Sequence, residues 1–450
     1  MDATSMIVDH TRIGAAFRRL SIPVAIQILG DQLLGTVDTI AIGSMGFIAL
    51  AGATAANTIA IAILFLGSGF LSGMSIVAAQ RIGAGDVEGF ARTVRAGVAA
   101  PMLVAVLAFA ASLAGAGPSI HLLVGSLSTA HASAIYLILR CASMMPIMIS
   151  GTLIVGLGAA GNRQLGILVL LVVNLVHIPL LMMLGLGWWT HHPYGIVGAG
   201  ISSLLSETIA AAFAIVYVAR RPVYRIFARP ELSWPLAKRC ANLGLPEAIF
   251  LLGVTVPDIV IVALLAPLGA IIVAAFRALN VVSDLTFVVP SPLQSATQVV
   301  IGQRLGARDP AGARWFFERA LRISLIVTTI TGAIVAIFAW PLAYIFTLDA
   351  AVASIAALPL ALHMVTLPLK GWAMISLSPI RASGDTRFSM TVGIVCSALV
   401  IPLAWLGIER LHLGLYSVAF GWIAAWAIRL LLTQWKLRDG AWMRRAPLAA

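Results

Sequence analysis

Residues 80–83 read Gln-Arg-Ile-Gly, and residues 303–306 read Gln-Arg-Leu-Gly, so a short motif occurs twice in the chain. The repeat interval is the spacing from Gln80 to Gln303. Two further pairs have this spacing: Pro23 with Pro246, and Gly161 with Gly384. One interval kept at separate places indicates an internal repeat, because chance matches would not share a spacing. The sequence therefore predicts a chain that consists of two homologous halves.

The composition is typical of an integral membrane protein. Of the 450 residues, 60% are hydrophobic and only 10% are charged, and the mean hydropathy is +1.01. A soluble chain carries about 25% charged residues. The composition therefore excludes a soluble enzyme, a disordered protein and a secreted disulfide scaffold. The three cysteines are widely spaced, so we expect neither a disulfide nor a metal framework.

Twelve apolar runs are long enough to cross a bilayer, which takes about 20 residues per helix. Only helices and closed barrels satisfy all their backbone polar groups inside a membrane. The apolar runs lack the strict alternation of barrel strands, so they favour helices. We predict an all-α integral membrane protein with 12 transmembrane helices in two parallel six-helix repeats around a central cavity. The runs lie near residues 20–44, 49–78, 94–116, 129–156, 164–187, 195–219, 242–266, 270–300, 317–345, 352–378, 388–408 and 414–435.

The repeat also predicts the domain organisation. Residues 1–225 are expected to form an N-terminal lobe with helices 1–6, residues 226–240 a cytoplasmic linker, and residues 241–450 a C-terminal lobe with helices 7–12. Six crossings return the chain to its starting side, so the repeats are parallel. Transporters use such repeats to move one bundle against the other around a site near the membrane midplane. The organisation favours a transporter over an enzyme or a structural protein.

The charge distribution predicts the orientation. The formal net charge is +12, and the arginines cluster in alternate polar segments. That pattern places both termini in the cytoplasm and explains the basic charge without a nucleic-acid partner. The first 20 residues contain no cleavable apolar segment. Because no GxxxxGK[ST] motif is present, we expect no ATP and no cofactor, with a proton or sodium gradient as the energy source.

Ionisable residues inside apolar runs are the candidates for function, because buried charge is costly in a membrane. Asp31 and Asp38 are seven residues apart in helix 1 and therefore share a face. A carboxylate near the midplane could bind a proton or sodium. Alternatively, neighbouring Gln27, Gln32, Thr36 or Thr39 could satisfy it.

The second half carries its own candidates. Asp258 follows Pro257 in helix 7, where a freed carbonyl and the carboxylate could form a cation site. Asp284 and Arg277 share a face of helix 8 and are expected to form a buried pair. Lys370 lies well inside helix 10 and needs a partner or a lowered pKa. It is either a counter-charge to a carboxylate, a proton carrier, a structural ion pair or a snorkelling side chain.

For three further polar residues, a structural role is an alternative to a functional one. His177 and His363 could relay protons, although a lone membrane histidine is more often a satisfied hydrogen-bonding group. Glu207 has Ser203 and Ser206 nearby, and these hydroxyls could satisfy it locally.

The chain contains five motifs in order: Val37-Asp38-Thr39, Gln80 to Asp86, Leu243-Gly244-Leu245-Pro246, Gln303 to Asp309 and Arg381 to Thr386. Together they resemble the multidrug and toxic compound extrusion (MATE) family, over nearly the whole chain. The resemblance implies secondary active export of organic cations or amphipathic compounds, driven by inward protons or sodium. It also implies a monomer in the inner membrane of a bacterium.

The resemblance transfers to individual residues only in part. Asp38 matches the family's helix 1 carboxylate, and Asn174 matches the first Asn of an NxxNxxxD pattern. His177 and Leu181 occupy the next two positions of that pattern. The family's helix 7 glutamate falls near Val254 and its helix 10 aspartate at Lys370, which favours protons over sodium.

We therefore predict cation coupling by Asp38, Asp31, Asn174 and Asp258. The substrate cavity is predicted to contain Gln27, His177, Asp284, Lys370 and Arg277. The alternative is a specialised exporter of one metabolite, or a flippase of a lipid-linked saccharide. Such a protein needs a more positive cavity, which Arg140, Arg277 and Lys370 would allow.

Overall fold

A computed structural model describes residues 13–124, 127–189, 192–228, 232–254 and 256–444, and these residues contain helices and turns but no strand. The first half contains α1 (Ile13–Ser44), α2 (Phe47–Gly83), α3 (Val87–Gly97), α4 (Ala99–Val124), α5 (Leu127–Ala159), α6 (Gln164–Leu180) and α7 (Gly195–Ala219). The second half contains α8 (Trp234–Gly253), α9 (Val256–Leu265), α10 (Ala270–Thr286), α11 (Pro290–Gly306), α12 (Pro310–Ile337), α13 (Ala339–Thr347), α14 (Ala350–His363), α15 (Thr366–Ala382), α16 (Thr386–Trp405), α17 (Tyr416–Leu437) and α18 (Ala441–Arg444).

The helices are long and apolar enough to cross a membrane. Within the described residues, 11 segments pass as single spans, and α14 with α15, bent by 41° at their junction, make a twelfth if the pair is one span. The prediction of an all-helical membrane protein is confirmed, and the predicted count of 12 holds with the bent pair as one crossing.

The internal repeat extends to the backbone conformation. Positive φ angles recur at the repeat interval, mostly at glycine, which adopts them without the clash that a Cβ would cause. The pairs are Gly46 (118°) with Gly269 (109°), Gly85 (74°) with Arg308 (57°), and Gly161 (77°) with Gly384 (89°). The two halves therefore turn at equivalent places.

The repeated Gln-Arg motif ends a helix and starts the next one. Asp86 caps α3 and Asp309 caps α12, each accepting a hydrogen bond from the backbone N–H three residues later. Arg81 Nη1 lies 2.7 Å from the Asp86 carboxylate, and Arg304 Nη1 lies 3.5 Å from the Asp309 carboxylate. The motif thus fixes the same tight turn in both halves.

The chain divides into two compact units whose limits lie inside helices. Among the described residues, the first unit is Ile22–Ala248, and the second consists of residues 13–21 and 249–444. The sequence predicts the division in the linker at 226–240, whereas the structure assigns the beginning of α1 to the second unit and the beginning of α8 to the first.

Glycines explain why the beginning of α8 belongs to the first unit. Gly244 faces the backbone of α2, and a Cβ at this position would lie 2.6 Å from the Cα of Phe70 and 2.9 Å from the carbonyl oxygen of Gly69. Only a residue without a side chain permits this approach of two helices. In the second unit, the ring of Phe17 in α1 packs 5.6 Å from that of Phe316 in α12.

Candidate cation-coupling site

A cavity of about 560 Å³ lies within the first unit, lined by residues of α1, α2, α5, α6 and α7 and by the turn before α6. Most of its wall is apolar, as in small-molecule sites in general. Its polar lining includes Gln27, Asp31, Asp38, Asn57, Arg140, Arg163 and Glu207.

Asp38 is held by a buried histidine behind the cavity wall. His177 Nε2 lies 2.7 Å from Asp38 Oδ1, and His177 Nδ1 lies 3.4 Å from the hydroxyl of Ser206. The Ser206 hydroxyl also donates to the backbone oxygen of Ser203 at 3.0 Å. His177 is 3% exposed, whereas Asp38 lines the cavity. The arrangement is a carboxylate–imidazole pair with only its carboxylate end open.

The neighbouring threonines of α1 do not bond to Asp38 but to backbone oxygens of their own helix. Thr36 donates to the backbone oxygen of Gln32 at 2.9 Å, and Thr39 donates to that of Gly35 at 2.8 Å. These threonine hydroxyls therefore satisfy the backbone of α1, and the bond that the structure gives Asp38 comes from α6.

Glu207 joins Asp31 in the acidic part of the cavity. It lies within electrostatic range of Arg140, Asp31 and His177. Arg140 also donates to Asn57 Oδ1 at 3.3 Å, which positions its guanidinium. Sequence reasoning had no ground for preferring Glu207, since nearby serines offered it a local explanation. Its position is set by the packing of α7 against α5.

Arg163 completes the ionisable groups of the wall. It lies in the turn between α5 and α6, and burial lowers its pKa to about 10, so that it stays protonated at neutral pH. The wall then holds three carboxylates (Asp31, Asp38 and Glu207) and two guanidiniums (Arg140 and Arg163). The carboxylates of the wall therefore outnumber its guanidiniums by one.

Contacts of α6 place three further predicted residues. Asn174 donates to the backbone oxygen of Leu170 at 2.8 Å, one turn earlier in α6. Gln27 lines the cavity, with its amide oxygen beside Gly166 of α6. His177, predicted in the substrate cavity, is instead buried behind Asp38.

The remaining predicted residues form a separate cluster in the second unit. Asp258 hydrogen-bonds Asn280 and lies within electrostatic range of Asp284, Lys370 and Arg277. The prediction of a buried Asp284–Arg277 pair is wrong, because both side chains are exposed. Both residues lie on the same face of α10, which is at the surface of this unit. Of the cationic side chains near Asp284, Lys370 interacts with its carboxylate more strongly than Arg277 does.

Lys370 is 2% exposed and points into the second unit. Its ammonium donates to the Ser283 hydroxyl at 3.0 Å and lies 4.6 Å from the centroid of the Phe287 ring. A buried ammonium on an aromatic face gains a cation–π attraction that partly replaces water. Sequence reasoning identified Lys370 but missed Ser283, which no spacing connects to it.

No group of three His, Cys, Asp or Glu side chains that could hold a metal ion occurs in the described part of the chain.

A known family matches both halves of the chain. The model of the MatE family matches residues 23–183 and, a second time, residues 246–406. The two matches are offset by the repeat interval, since they begin at Pro23 and Pro246. The chain belongs to the MATE family.

Individual MATE relatives match most of the chain. A probable multidrug resistance protein NorM of Rhizobium meliloti is 26% identical over 442 residues, covering 93% of this chain and 92% of the relative. The multidrug resistance protein MdtK of Edwardsiella ictaluri is 25% identical, covering 77% of this chain and 76% of the relative.

Solved structures have the same fold. A MATE transporter in the bent conformation superposes with a TM-score of 0.89 at 21% identity, covering 99% of this chain and 98% of the other. A transporter of Pyrococcus furiosus, described as having a binding pocket of reversed polarity, gives 0.87 at 20% identity, with 98% of each chain covered. As a MATE protein, the chain is a multi-pass membrane transporter and not an enzyme, as the sequence predicted.

Proposed function

We propose that this MATE protein exports organic cations or amphipathic compounds from the cytoplasm in exchange for inward protons, by alternating access. The observation that carries the proposal is the Asp38–His177 pair, with its carboxylate in the wall of a cavity whose carboxylates outnumber its guanidiniums. The curated relatives are multidrug resistance proteins, which supports the same substrate class.

The pair couples proton and substrate through its charge. With His177 neutral, Asp38 gives the pair a charge of −1, and an organic cation in the cavity is attracted to it. A proton bound by the pair brings this charge to zero. At an effective dielectric constant of 20, a cation about 4 Å from a carboxylate gains about 4 kcal/mol, or roughly a thousandfold in affinity. Proton binding removes this attraction, so the substrate leaves.

Protons are favoured over sodium by the composition of both units. Sodium requires several oxygen ligands, whereas the bonded partner of Asp38 is an imidazole nitrogen. In the second unit, Lys370 lies within electrostatic range of both Asp258 and Asp284 and competes with a cation for them. We infer that the working protein sits in a bacterial inner membrane as a monomer, with both termini in the cytoplasm.

Transport in proteoliposomes tests the proposal. The purified protein faces an imposed pH gradient or an imposed sodium gradient, with ethidium as the fluorescent organic cation. We expect the pH gradient alone to move ethidium, and Asp38→Asn to abolish the movement. Asp349→Asn is the matched control, because Asp349 caps α14 outside the site and asparagine caps a helix as well. Transport that needs sodium, or that survives in Asp38→Asn, would refute the proposal.

A second candidate function rests on the cations of the second unit. Lys370 and Arg429 both lie on the Trp426 ring, at 6.0 and 4.8 Å from its centroid. Such a unit could suit an exporter of one anionic metabolite or of a lipid-linked saccharide. Movement of a fluorescent anionic amphiphile, with no movement of ethidium under either gradient, would favour this candidate.

A further inference from the structure

One side of α12 is an exposed apolar face that ends in an arginine. Ile326, Ile330 and Ile337 are 60%, 54% and 76% exposed, and Arg319 is exposed as well. At 100° per residue, these four positions lie within about 20° of one line along the helix. Since α12 is long and apolar enough to cross a membrane, this face contacts the lipid chains of the bilayer.

The length of this face places Arg319 at the level of the lipid headgroups. Ile337 lies five helical turns after Arg319, which corresponds to about 27 Å. The hydrocarbon core of a bilayer is about 30 Å thick, so the two residues lie near its opposite boundaries. Just beyond Ile337, the rings of Trp340 and Tyr344 stack at 5.4 Å, and both residues are typical of that boundary. The anions at the depth of Arg319 are the phosphates of lipids.

Arg319 is oriented by an aromatic ring. Its guanidinium carbon lies 3.9 Å from the centroid of the Trp315 ring, one turn earlier in α12. This cation–π contact uses the face of the guanidinium. The N–H groups at its edge remain for an oxyanion, and their fork geometry matches two oxygens of one phosphate. Arg322, one turn later, is also exposed and adds a second guanidinium.

The beginning of α1 brings two more arginines to the same end of the second unit. The ring of Phe17 packs 5.6 Å from that of Phe316 in α12. Arg18 and Arg19 follow Phe17 directly, and both are exposed. Arg319 is only three residues from Phe316, so the aromatic contact holds the two pairs of arginines near one level.

Positive charge dominates this surface. Residues 13–21 and α12 together contain five arginines and one carboxylate, that of Glu318. Glu318 accepts a hydrogen bond from Arg314 Nε at 2.9 Å. Among the described residues, the other four arginines have no ion-pair partner. The basic patch consists of these four: Arg18, Arg19, Arg319 and Arg322.

We infer that the basic patch binds the headgroup of an anionic phospholipid, whose acyl chains lie along Ile326 and Ile330. A soluble phosphate compound would suit the arginines but not the apolar face that continues from them. The two features together select a lipid, in the leaflet at which α1 and α12 begin. The bound headgroup joins these two helices within the second unit. The inference concerns a surface outside the cavity and depends neither on the substrate nor on the coupling ion.

Binding of single lipids to the purified protein measures the effect. The protein is titrated in detergent with dioleoylphosphatidylglycerol or dioleoylphosphatidylcholine, and native mass spectrometry gives the Kd of the first bound lipid. The two lipids have the same chains, and only phosphatidylglycerol has a net negative charge. Each arginine near an anionic headgroup contributes about fivefold in affinity. We expect the wild type to bind phosphatidylglycerol at least about tenfold more tightly than phosphatidylcholine.

Variants of each helix test the patch separately. The double variant Arg319→Gln with Arg322→Gln should bind phosphatidylglycerol about 25-fold more weakly, with phosphatidylcholine unchanged. The double variant Arg18→Gln with Arg19→Gln should give the same result from α1. All four side chains are exposed, so their loss leaves the core intact. If one double variant does not fold, the other decides.

A matched control removes the same charge elsewhere. Arg387 in α16 and Arg438 after α17 are exposed residues of the second unit outside the basic patch. The double variant Arg387→Gln with Arg438→Gln should keep the wild-type affinity for both lipids. A control that loses as much as the patch variants would show that overall charge decides, and would overturn the inference.

Three other outcomes would also overturn it. The first is a wild type that binds phosphatidylglycerol no more tightly than phosphatidylcholine. The second is a folded patch variant with the wild-type affinity for phosphatidylglycerol. The third is displacement of the bound lipid by an excess of glycerol 3-phosphate, which would assign the arginines to a soluble phosphate compound. None of these results bears on the proposed function, because no transport is measured.

Discussion

Gly244 provides the sharpest test of the packing in the first unit. In Gly244→Ala the new Cβ would lie 2.6 Å from the Phe70 Cα, whereas ordinary contacts begin near 3.4 Å. The obstructing atoms belong to the backbone of α2, so no side chain can rotate away. The beginning of α8 must therefore move by about 0.8 Å, the difference between these distances.

The energetic cost follows from this displacement. Overpacking of a tight interior costs about 1–3 kcal/mol. The better helix propensity of alanine returns up to about 1 kcal/mol, so we expect a net loss of about 1–2 kcal/mol. For a unit of this size, each kcal/mol shifts Tm by about 2–4 °C.

Thermal unfolding in detergent measures the effect. We expect Gly244→Ala to melt about 2–8 °C below the wild type. Gly115→Ala is the matched control: Gly115 also lies inside a helix, but a Cβ there meets no atom within 4 Å. Its Tm should be unchanged or slightly raised. Equal melting of Gly244→Ala and the wild type would refute the close approach of α2 and α8.

Three further predictions concern single hydrogen-bonded groups. His177→Phe should slow ethidium export at least tenfold in proteoliposomes, because a hydrogen bond to a charged group contributes about 1.5–3 kcal/mol. Export by His177→Phe at the wild-type rate would contradict the role of the pair. Asp86→Ala should lower Tm by removing the cap of α3, at a cost of about 0.5–2 kcal/mol, whereas Asp86→Asn should lose less; equal losses would show that the cap contributes little. Tyr224→Phe removes the hydroxyl to which Asn162 Nδ2 donates at 3.0 Å. The free energy of unfolding should fall by about 1 kcal/mol, measured by thermal unfolding. An unchanged Tm would mean that water replaces the hydroxyl.

The fold could be predicted because its determinants are local or repeated. Apolar runs specify the crossings, and the repeat interval marks the two halves in both the sequence and the backbone turns. The limits of the compact units could not be predicted. The limit in α8 follows from the close contact of Gly244 with α2. Gly244 is one glycine among 40, and the sequence does not indicate which helix it faces.

The sequence indicates the charged residues of the candidate site but not which side chains pair with them. Asp38 and Lys370 stand out because charges inside apolar runs are rare. Their partners do not stand out: His177 is 139 residues from Asp38, and Ser283 is 87 residues from Lys370. Which polar groups meet across such distances depends on helix rotation, and serines and histidines are common enough to satisfy themselves locally. The bend between α14 and α15 was also hidden, because the apolar run continues through it.

Proton release on substrate binding tests the central claim most directly. Ethidium is added to the purified protein in weakly buffered detergent solution that contains a pH indicator. If substrate and proton compete at the Asp38–His177 pair, the wild type releases protons on binding, and Asp38→Asn releases fewer or none while Asp349→Asn behaves like the wild type. Proton release by Asp38→Asn equal to that of the wild type would contradict the account.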